Sequence, residues 1–150
     1  MWYDEPKYHR GKGEIKLFKN AESLVQERET LHLGIVNDSG YPVIYPMEKV
    51  RAIGLKKVFF ITKKDSKKVK YLLSHNKCTV ECHDPQECIV SLFGTVEIVT
   101  DLEKIKLCIP QAYWLRLMKH KNAESYCLLE FNAKSGQLYQ SGHWYEISLG

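Results

Sequence analysis

In the segment FFITKKDSKKVKYLLSHN, residues 59–76, the pattern changes within a few residues from that of a strand to that of a helix. Its first part completes a run over 57–62 that is rich in the branched and aromatic residues typical of a strand. Beyond a short polar stretch, Val69, Leu72 and Leu73 lie at i, i+3 and i+4, the spacing of an amphipathic helix. The segment therefore predicts a strand, a tight turn and a helix that begins among lysines.

A lysine-rich turn marks the start of this helix, and Asp65 or Ser66 can cap it. The first backbone N–H groups of a helix lack intrahelical partners and carry the positive end of its dipole, so they attract anions. Thr62 and Ser66 can add hydroxyl donors there, and Lys67 and Lys68 add charge. The turn therefore predicts a site for one phosphate monoester. The lysines in and around the segment are Lys56, Lys57, Lys63, Lys64, Lys67, Lys68 and Lys70.

Two other interpretations of this turn stay open on residue pattern alone. Ser66 can act only as a helix cap while the lysines form a solvated face, which is the commonest use of both residue types. A nucleic-acid surface would use the lysines on several phosphates and stack bases on Tyr71 or Phe60. The pattern does not favour nucleic acid, because the basic run is confined to one helix without interleaved exposed aromatic residues.

Composition places the chain among ordinary globular proteins. A length of 150 residues suits one domain, and we find no repeat, linker or low-complexity tract that would divide 1–150. Apolar content of 44% with 27% charged residues is too apolar for a disordered chain. We see no apolar run of membrane-spanning length and no signal-peptide pattern at the N-terminus, so we expect a cytoplasmic protein.

Five cysteines occur without any Cys-x-x-Cys pair, which is typical of reduced thiols. A zinc set can be assembled from Cys78, Cys82 and His83, with Cys88 returning on the next strand. Metal sites usually show tighter paired spacings, and free cysteine commonly packs as a small apolar residue. We therefore predict no metal site.

The rest of the chain alternates short strands and helices. Most strands are joined by turn-rich segments, which favours an antiparallel sheet, and the whole pattern predicts an α+β fold whose sheet curls into a small barrel. Gly94 is expected to mark a bulge or bend. The predicted helices follow the caps Asn20 and Asp101 and cover 111–119, and the remaining predicted strands are 31–37, 43–53, 78–83, 88–100, 126–132 and 137–149, the last two joined by a turn at Lys134–Gly136.

Several motifs follow one another in a fixed order between about residues 20 and 109. LHLGIVNDSGYPVIYPM is followed by VFFITKKDSKKVKYLLSHNKCTVEC and then by SLFGTVEIVTDLEK. In this order the chain resembles the pyridoxamine 5′-phosphate oxidase-like family of flavin-binding split β-barrels, including its general stress protein and nitroimidazole-resistance (Nim) branches. The shared features are a DxxGxP turn, a Pro-Met pair, Phe-x-Thr, Ser-(Arg/Lys)-Lys at a helix start and a glycine-bearing strand before an acidic helix start.

The resemblance implies a mainly antiparallel split β-barrel that binds FMN at the interface of a homodimer. It implies that the lysine turn holds the FMN phosphate, that the second strand runs its backbone past the isoalloxazine edge, and that a residue of the third strand lies close to the flavin. Carried over by position, the phosphate residues are Thr62, Ser66, Lys67 and Lys68, the second-strand residues are Tyr45, Pro46, Met47 and Glu48, and the third-strand residue is Ile61.

Three positions depart from the family pattern. Tyr45 stands where many relatives have an arginine before the Pro-Met pair, the FFIT strand lacks the histidine usual in the Nim branch, and QSGHWYEISLG lacks the arginine of the vitamin-salvage oxidases. The resemblance implies an oxidoreductase that transfers hydride or electrons between FMN and a small molecule. No catalytic side chain is identified. A non-catalytic flavin-binding stress protein and a Nim-type nitroimidazole reductase are the alternatives.

Overall fold

The computed structural model describes residues 12–86, 88–120 and 122–149, with side chains from Lys16 onward apart from His120. Seven strands form within these residues: β1 (Thr30–Val36), β2 (Pro42–Ile53), β3 (Lys57–Lys63), β4 (Lys77–His83), β5 (Ile89–Val99), β6 (Tyr126–Gln140) and β7 (His143–Ser148). Four α-helices accompany them: α1 (Lys12–Glu27), α2 (Lys67–Ser74), α3 (Leu102–Cys108) and α4 (Gln111–His120).

The strands form one sheet in the order β3-β2-β1-β4-β5-β6-β7, and each neighbouring pair is antiparallel. An additional antiparallel pairing between β3 and β6 closes the first six strands into a barrel, and β7 continues the sheet as an extra strand. This confirms the predicted α+β fold with an antiparallel barrel. Among the described helices, none is both long and apolar enough to cross a membrane.

The interior of the barrel holds the main core. Leu31, Leu33 and Ile35 alternate inward along β1 and are at most 1% exposed, as the two-residue period of a strand requires. Helix α1 closes the core with buried apolar side chains. A second apolar cluster lies against α3 and α4 and contains the buried residues Phe59, Val99, Ile105, Ile109 and Leu128. Because neighbouring residues of a strand face opposite sides, a single strand contributes side chains to both apolar clusters.

Helix α1 is longer than the prediction, which placed its start after the cap Asn20. The helix already includes Lys12, and Asn20 lies inside it. Leu17 and Phe18 pack against the barrel core, and Ala21 is fully buried one turn later. The helix extends toward the N-terminus because these apolar residues continue its buried face.

The predicted turn at Lys134–Gly136 is wrong, because β6 runs through it without interruption. The pairing changes register between Phe93 and Gly94, which oppose Ser135 and Ala133, so Lys134 is the extra residue of a bulge. A Cβ on Gly136 would lie 2.7 Å from the Ser91 carbonyl oxygen, so glycine here permits close strand approach rather than a turn. The actual turn lies at Ser141 and Gly142, whose φ angles are 53° and 81°. The bulge expected at Gly94 is confirmed.

Two core thiols make the stability of the protein sensitive to alkaline pH. Burial raises the pKa of Cys78 and of Cys82 to about 12, whereas the unperturbed value is 9.0. Between these pH values the unfolded chain loses thiol protons that the folded chain keeps, so the free energy of unfolding falls as the pH rises. We expect a double variant, Cys78→Ala with Cys82→Ala, to show a shallower fall in urea-unfolding free energy between about pH 8.5 and 10.5. Parallel slopes for the two proteins would contradict this account of the thiols.

Candidate functional site

Helix α2 begins as the sequence pattern predicts. Ser66 is its N-cap, with extended backbone angles of φ −71° and ψ 155°, and its Oγ accepts a hydrogen bond of 3.4 Å from the Val69 backbone N–H. Since a hydroxyl can accept and donate at the same time, capping leaves the Ser66 O–H available to an anion. The helix start is therefore compatible with both the capping role and the anion-binding role of Ser66.

The lysines around this helix start make the turn strongly basic, with Asp65 as the acidic residue among them. Lys63, Lys64 and Lys67 are exposed, and Lys68 is half-buried. Within the described part of the chain, no carboxylate comes within ion-pairing distance of any of the four. One turn further on, the ammonium group of Lys70 lies 3.9 Å from a carboxylate oxygen of Asp38. The side chains and backbone donors of the turn thus fit an anionic group such as a phosphate.

A contact between Lys68 and Tyr45 joins this helix start to strand β2. The Lys68 Nζ lies 5.2 Å from the centroid of the Tyr45 ring, within the range of a cation–π interaction. Tyr45 opposes Leu33 in the sheet and packs against the main core. Tyr45, which stands where many relatives have an arginine, is therefore held directly beside a lysine of the turn.

The nine predicted cofactor residues fall into three groups. Tyr45, Met47 and Thr62 share the strand faces that carry the barrel interior, and Met47 and Thr62 are buried at 6% and 7% exposure. The outward strand positions Pro46 and Glu48 are exposed, and Ile61 packs with the outer cluster. Since neighbouring residues of a strand face opposite sides, one flat ring can meet this β2 segment along its backbone edge but not through all four side chains. The third group, Ser66, Lys67 and Lys68, lies at the start of α2.

Helix α4 packs beside the outward group. Tyr113 and Trp114 pack against the outer cluster, as does Ile61. Burial raises the pKa of the Tyr113 hydroxyl, and the nearby Glu48 carboxylate raises it further while Arg116 opposes the change. The Arg116 guanidinium carbon lies 5.0 Å from the centroid of the Tyr113 ring. The position of Arg116 was not predicted, and its spacing of three residues from Tyr113 on one helix is the signal that indicates it.

The considered zinc set does not converge. Cys78 and Cys82 are buried and belong to the main core, whereas His83 is exposed on the opposite face of the same strand. Cys88 is half-buried. Because the thiols and the imidazole point to opposite sides of β4, they cannot ligate one ion together.

Comparison with solved structures finds similar folds. A protein related to general stress protein 26 of Bacillus subtilis (pyridoxinephosphate oxidase family), from Clostridium acetobutylicum, is 23% identical with a TM-score of 0.79, over 89% of this chain and 95% of that chain. A NimC/NimA family protein from Clostridium acetobutylicum is 17% identical with a TM-score of 0.67, over 91% and 99% of the two chains. An F420 reductase is 17% identical with a TM-score of 0.59, over 77% and 94%. At these identities the similarity shows a shared fold.

A search of the curated proteins finds no match. The family model described as pyridoxamine 5′-phosphate oxidase like matches residues 17–147. This range includes the lysine turn, the strands β1 to β6 and all of β7 except its last residue. The chain therefore belongs to the pyridoxamine 5′-phosphate oxidase-like family.

Proposed function

We propose that the protein binds FMN and acts as an FMN-dependent oxidoreductase on a small molecule. The observation that carries the proposal is the contact of Lys68 with Tyr45, because it connects an anion-binding helix start with the strand expected to border the flavin. Family membership supports a flavin, and the charge of the turn favours one that ends in a phosphate. In this proposal the lysine turn recognises FMN and discriminates against unphosphorylated riboflavin.

Residues at the start of α2 would hold the phosphate. The Ser66 O–H and the backbone N–H groups of the first helical turn would donate hydrogen bonds to it, and Lys67 and Lys68 would supply the charge. The Tyr45 ring positions Lys68, so the lysine side chain loses less conformational entropy when the phosphate binds. Thr62 is buried at the end of β3, where it would contribute from beneath the turn.

The chain would orient the isoalloxazine along β2 and β3. The backbone of Tyr45, Pro46, Met47 and Glu48 would border the ring edge, and Ile61 would supply an apolar contact. Once bound, FMN supplies the hydride or electron transfer, and the protein controls its orientation and its exposure to water. Tyr113 of α4, whose pKa is raised in part by the Glu48 carboxylate, would cover this side of the site.

A second copy of the chain is proposed to complete the site. The outer face of β2, β1, β4 and β5 carries the cross-strand row Ile44, Gly34, Thr79 and Phe93. Ile44 is 68% exposed and Phe93 is 37% exposed, so apolar surface at both ends of the row remains to be covered. Pro46 and Glu48 border the same face, and a partner seated there would therefore shield the proposed flavin segment from water.

The first test is the visible absorption spectrum of the purified protein, followed by titration of the flavin-free protein with FMN. We expect a flavin spectrum, release of FMN on denaturation, and oxidation of reduced nicotinamide when a quinone or a nitroaromatic acceptor is added. Sedimentation is expected to give a dimer. A protein that binds no added FMN would overturn the proposal, a monomer that binds FMN tightly would remove the interface site, and bound FMN that never cycles would indicate a non-catalytic flavoprotein.

A further inference from the structure

Three side chains on the outer face of β1 and β4 form a compact cluster. His32 lies directly opposite Glu81 in the β1–β4 pairing, and His83 follows Glu81 by two residues on the same face of β4. The Nδ1 atoms of His32 and His83 lie 2.8 Å and 2.9 Å from the two different oxygens of Glu81. The imidazole rings stack with an interplanar angle of 10° and a centroid separation of 6.0 Å. One carboxylate thus holds two imidazoles together.

We infer that His32, Glu81 and His83 form a binding site for a divalent transition-metal ion such as Zn²⁺. One nitrogen of each ring and one oxygen of the carboxylate already lie within 4.8 Å of one another. Two imidazoles with one carboxylate are a ligand set of known zinc sites, which keep a fourth position open for water or another ligand. Imidazole nitrogens also select such ions over Mg²⁺ and Ca²⁺, which prefer oxygen ligands alone.

The geometry requires only local movement of side chains. A tetrahedral ion with bonds of about 2.1 Å holds its ligand atoms roughly 3–4 Å apart. The nitrogen–oxygen pairs at 2.8 Å and 2.9 Å must therefore open slightly, while any pair near the 4.8 Å limit of the set must approach by about an ångström. Their Cα positions are fixed by the β1–β4 pairing and by the two-residue strand period. A carboxylate accepts hydrogen bonds only, so each neutral ring carries its proton on Nδ1 and must move it to Nε2 when Nδ1 binds the ion.

The cluster is separate from the lysine turn. It consists of partly exposed groups on the outer face, while the turn lies at the end of β3 and the start of α2. Pro46 opposes His32 in the β1–β2 pairing, so the cluster lies on the strand next to the proposed flavin segment and on the outer face that a second copy of the chain is proposed to cover. Zn²⁺ binding at this cluster does not require FMN, and its test is independent of the proposed oxidoreductase activity.

The test uses the protein without an affinity tag, titrated with Zn²⁺ by calorimetry. We expect one Zn²⁺ per chain, and the variants His32→Gln and His83→Gln are each expected to weaken binding at least about tenfold, since ligand loss should cost no less than loss of an outer partner. His75→Gln is the matched control, because His75 is an exposed histidine at the end of α2 and should leave the affinity unchanged. Circular dichroism checks that each variant is folded.

Titration of the unmodified chain with Co²⁺ provides a second readout that needs no variant. We expect the visible absorption of a tetrahedral ion with nitrogen and oxygen ligands, displaced on adding Zn²⁺. Intense thiolate charge-transfer bands would instead place the ion on cysteine and would overturn the assignment. The absence of stoichiometric Zn²⁺ binding would also overturn it, as would equal affinities in the His32, His83 and His75 variants. Either result would mean that the three side chains are hydrogen-bonded to one another without binding a metal ion.

Discussion

Replacing Lys68 with alanine is expected to weaken FMN binding by about 10- to 100-fold. Hydrogen bonds to charged groups contribute roughly 1.5–3 kcal/mol each, and each 1.4 kcal/mol corresponds to about a factor of ten in affinity. Lys68 is the lysine of the turn that also contacts β2 through the Tyr45 ring. Quenching of flavin fluorescence in titrations with FMN and with riboflavin measures the effect, and the loss should be confined to FMN. The ratio of the two dissociation constants then reports phosphate recognition alone.

Lys70→Ala is the matched control for this experiment. Lys70 lies two residues further along the same helix, and its ammonium group is directed to Asp38 rather than to the helix start. Its removal should change the ratio of riboflavin to FMN dissociation constants by less than about twofold, as expected for an exposed charge on a solvated helix. An unchanged ratio in Lys68→Ala, or equal changes in the two variants, would contradict phosphate binding by Lys68. The Lys68→Ala variant should lose no more than about 2 kcal/mol of stability, since a cation–π contact contributes between about 0.5 and 2 kcal/mol depending on its burial.

Replacing Gly94 with alanine is expected to destabilise the fold by at least about 3 kcal/mol. A Cβ at this position would lie 2.0 Å from the Asn132 carbonyl oxygen and 2.9 Å from the Ala133 Cα, both of which are backbone atoms of β6. Backbone cannot rotate away as a side chain can, so the bulge between β5 and β6 would have to open. Urea unfolding measures the effect as a lower midpoint at unchanged slope, or the variant fails to accumulate as folded protein.

Gly34→Ala is the control for this substitution. The added Cβ would lie 3.7 Å from the Thr79 carbonyl oxygen, an ordinary van der Waals distance. Gly34 lies within β1, and alanine removes some of the conformational entropy that glycine loses on folding. We expect a change within about 1 kcal/mol in either direction. Equal stability of the Gly34→Ala and Gly94→Ala proteins would show that the bulge tolerates a side chain.

Local features of this protein were predictable from sequence to within a few residues. The strand β3, the Ser66 cap and helix α2 follow from hydrophobic period and capping chemistry, which involve neighbours within about one helical turn. The bulge at Gly94 followed from a glycine inside an apolar strand pattern. A prediction was wrong where a residue type that is common in turns instead makes a contact with a strand distant in sequence. Gly136 reads as a turn residue in sequence but allows β6 to approach Ser91 of β5.

The grouping of three candidate site residues could be read from the sequence. Ser66, Lys67 and Lys68 could be grouped because they are consecutive and their chemistry is that of a helix start. The contact of Lys68 with Tyr45 could not be read from sequence, because it depends on how β2 and α2 are brought together by the sheet. The sequence also did not show which residues of the β2 segment face inward and which face outward, because this depends on the register of β2 against β1.

The sequence by itself determined the strand and helix periods, the capped lysine turn and the family to which the chain belongs. The tertiary structure decided the order of strands, closure of the barrel by β3 and β6, and the assembly of His32 with Glu81 across 49 residues of chain. Period and capping depend on near neighbours, whose interactions the sequence shows directly. Long-range pairings are selected by the burial of a whole core, so they emerge only when all of the strands are in place.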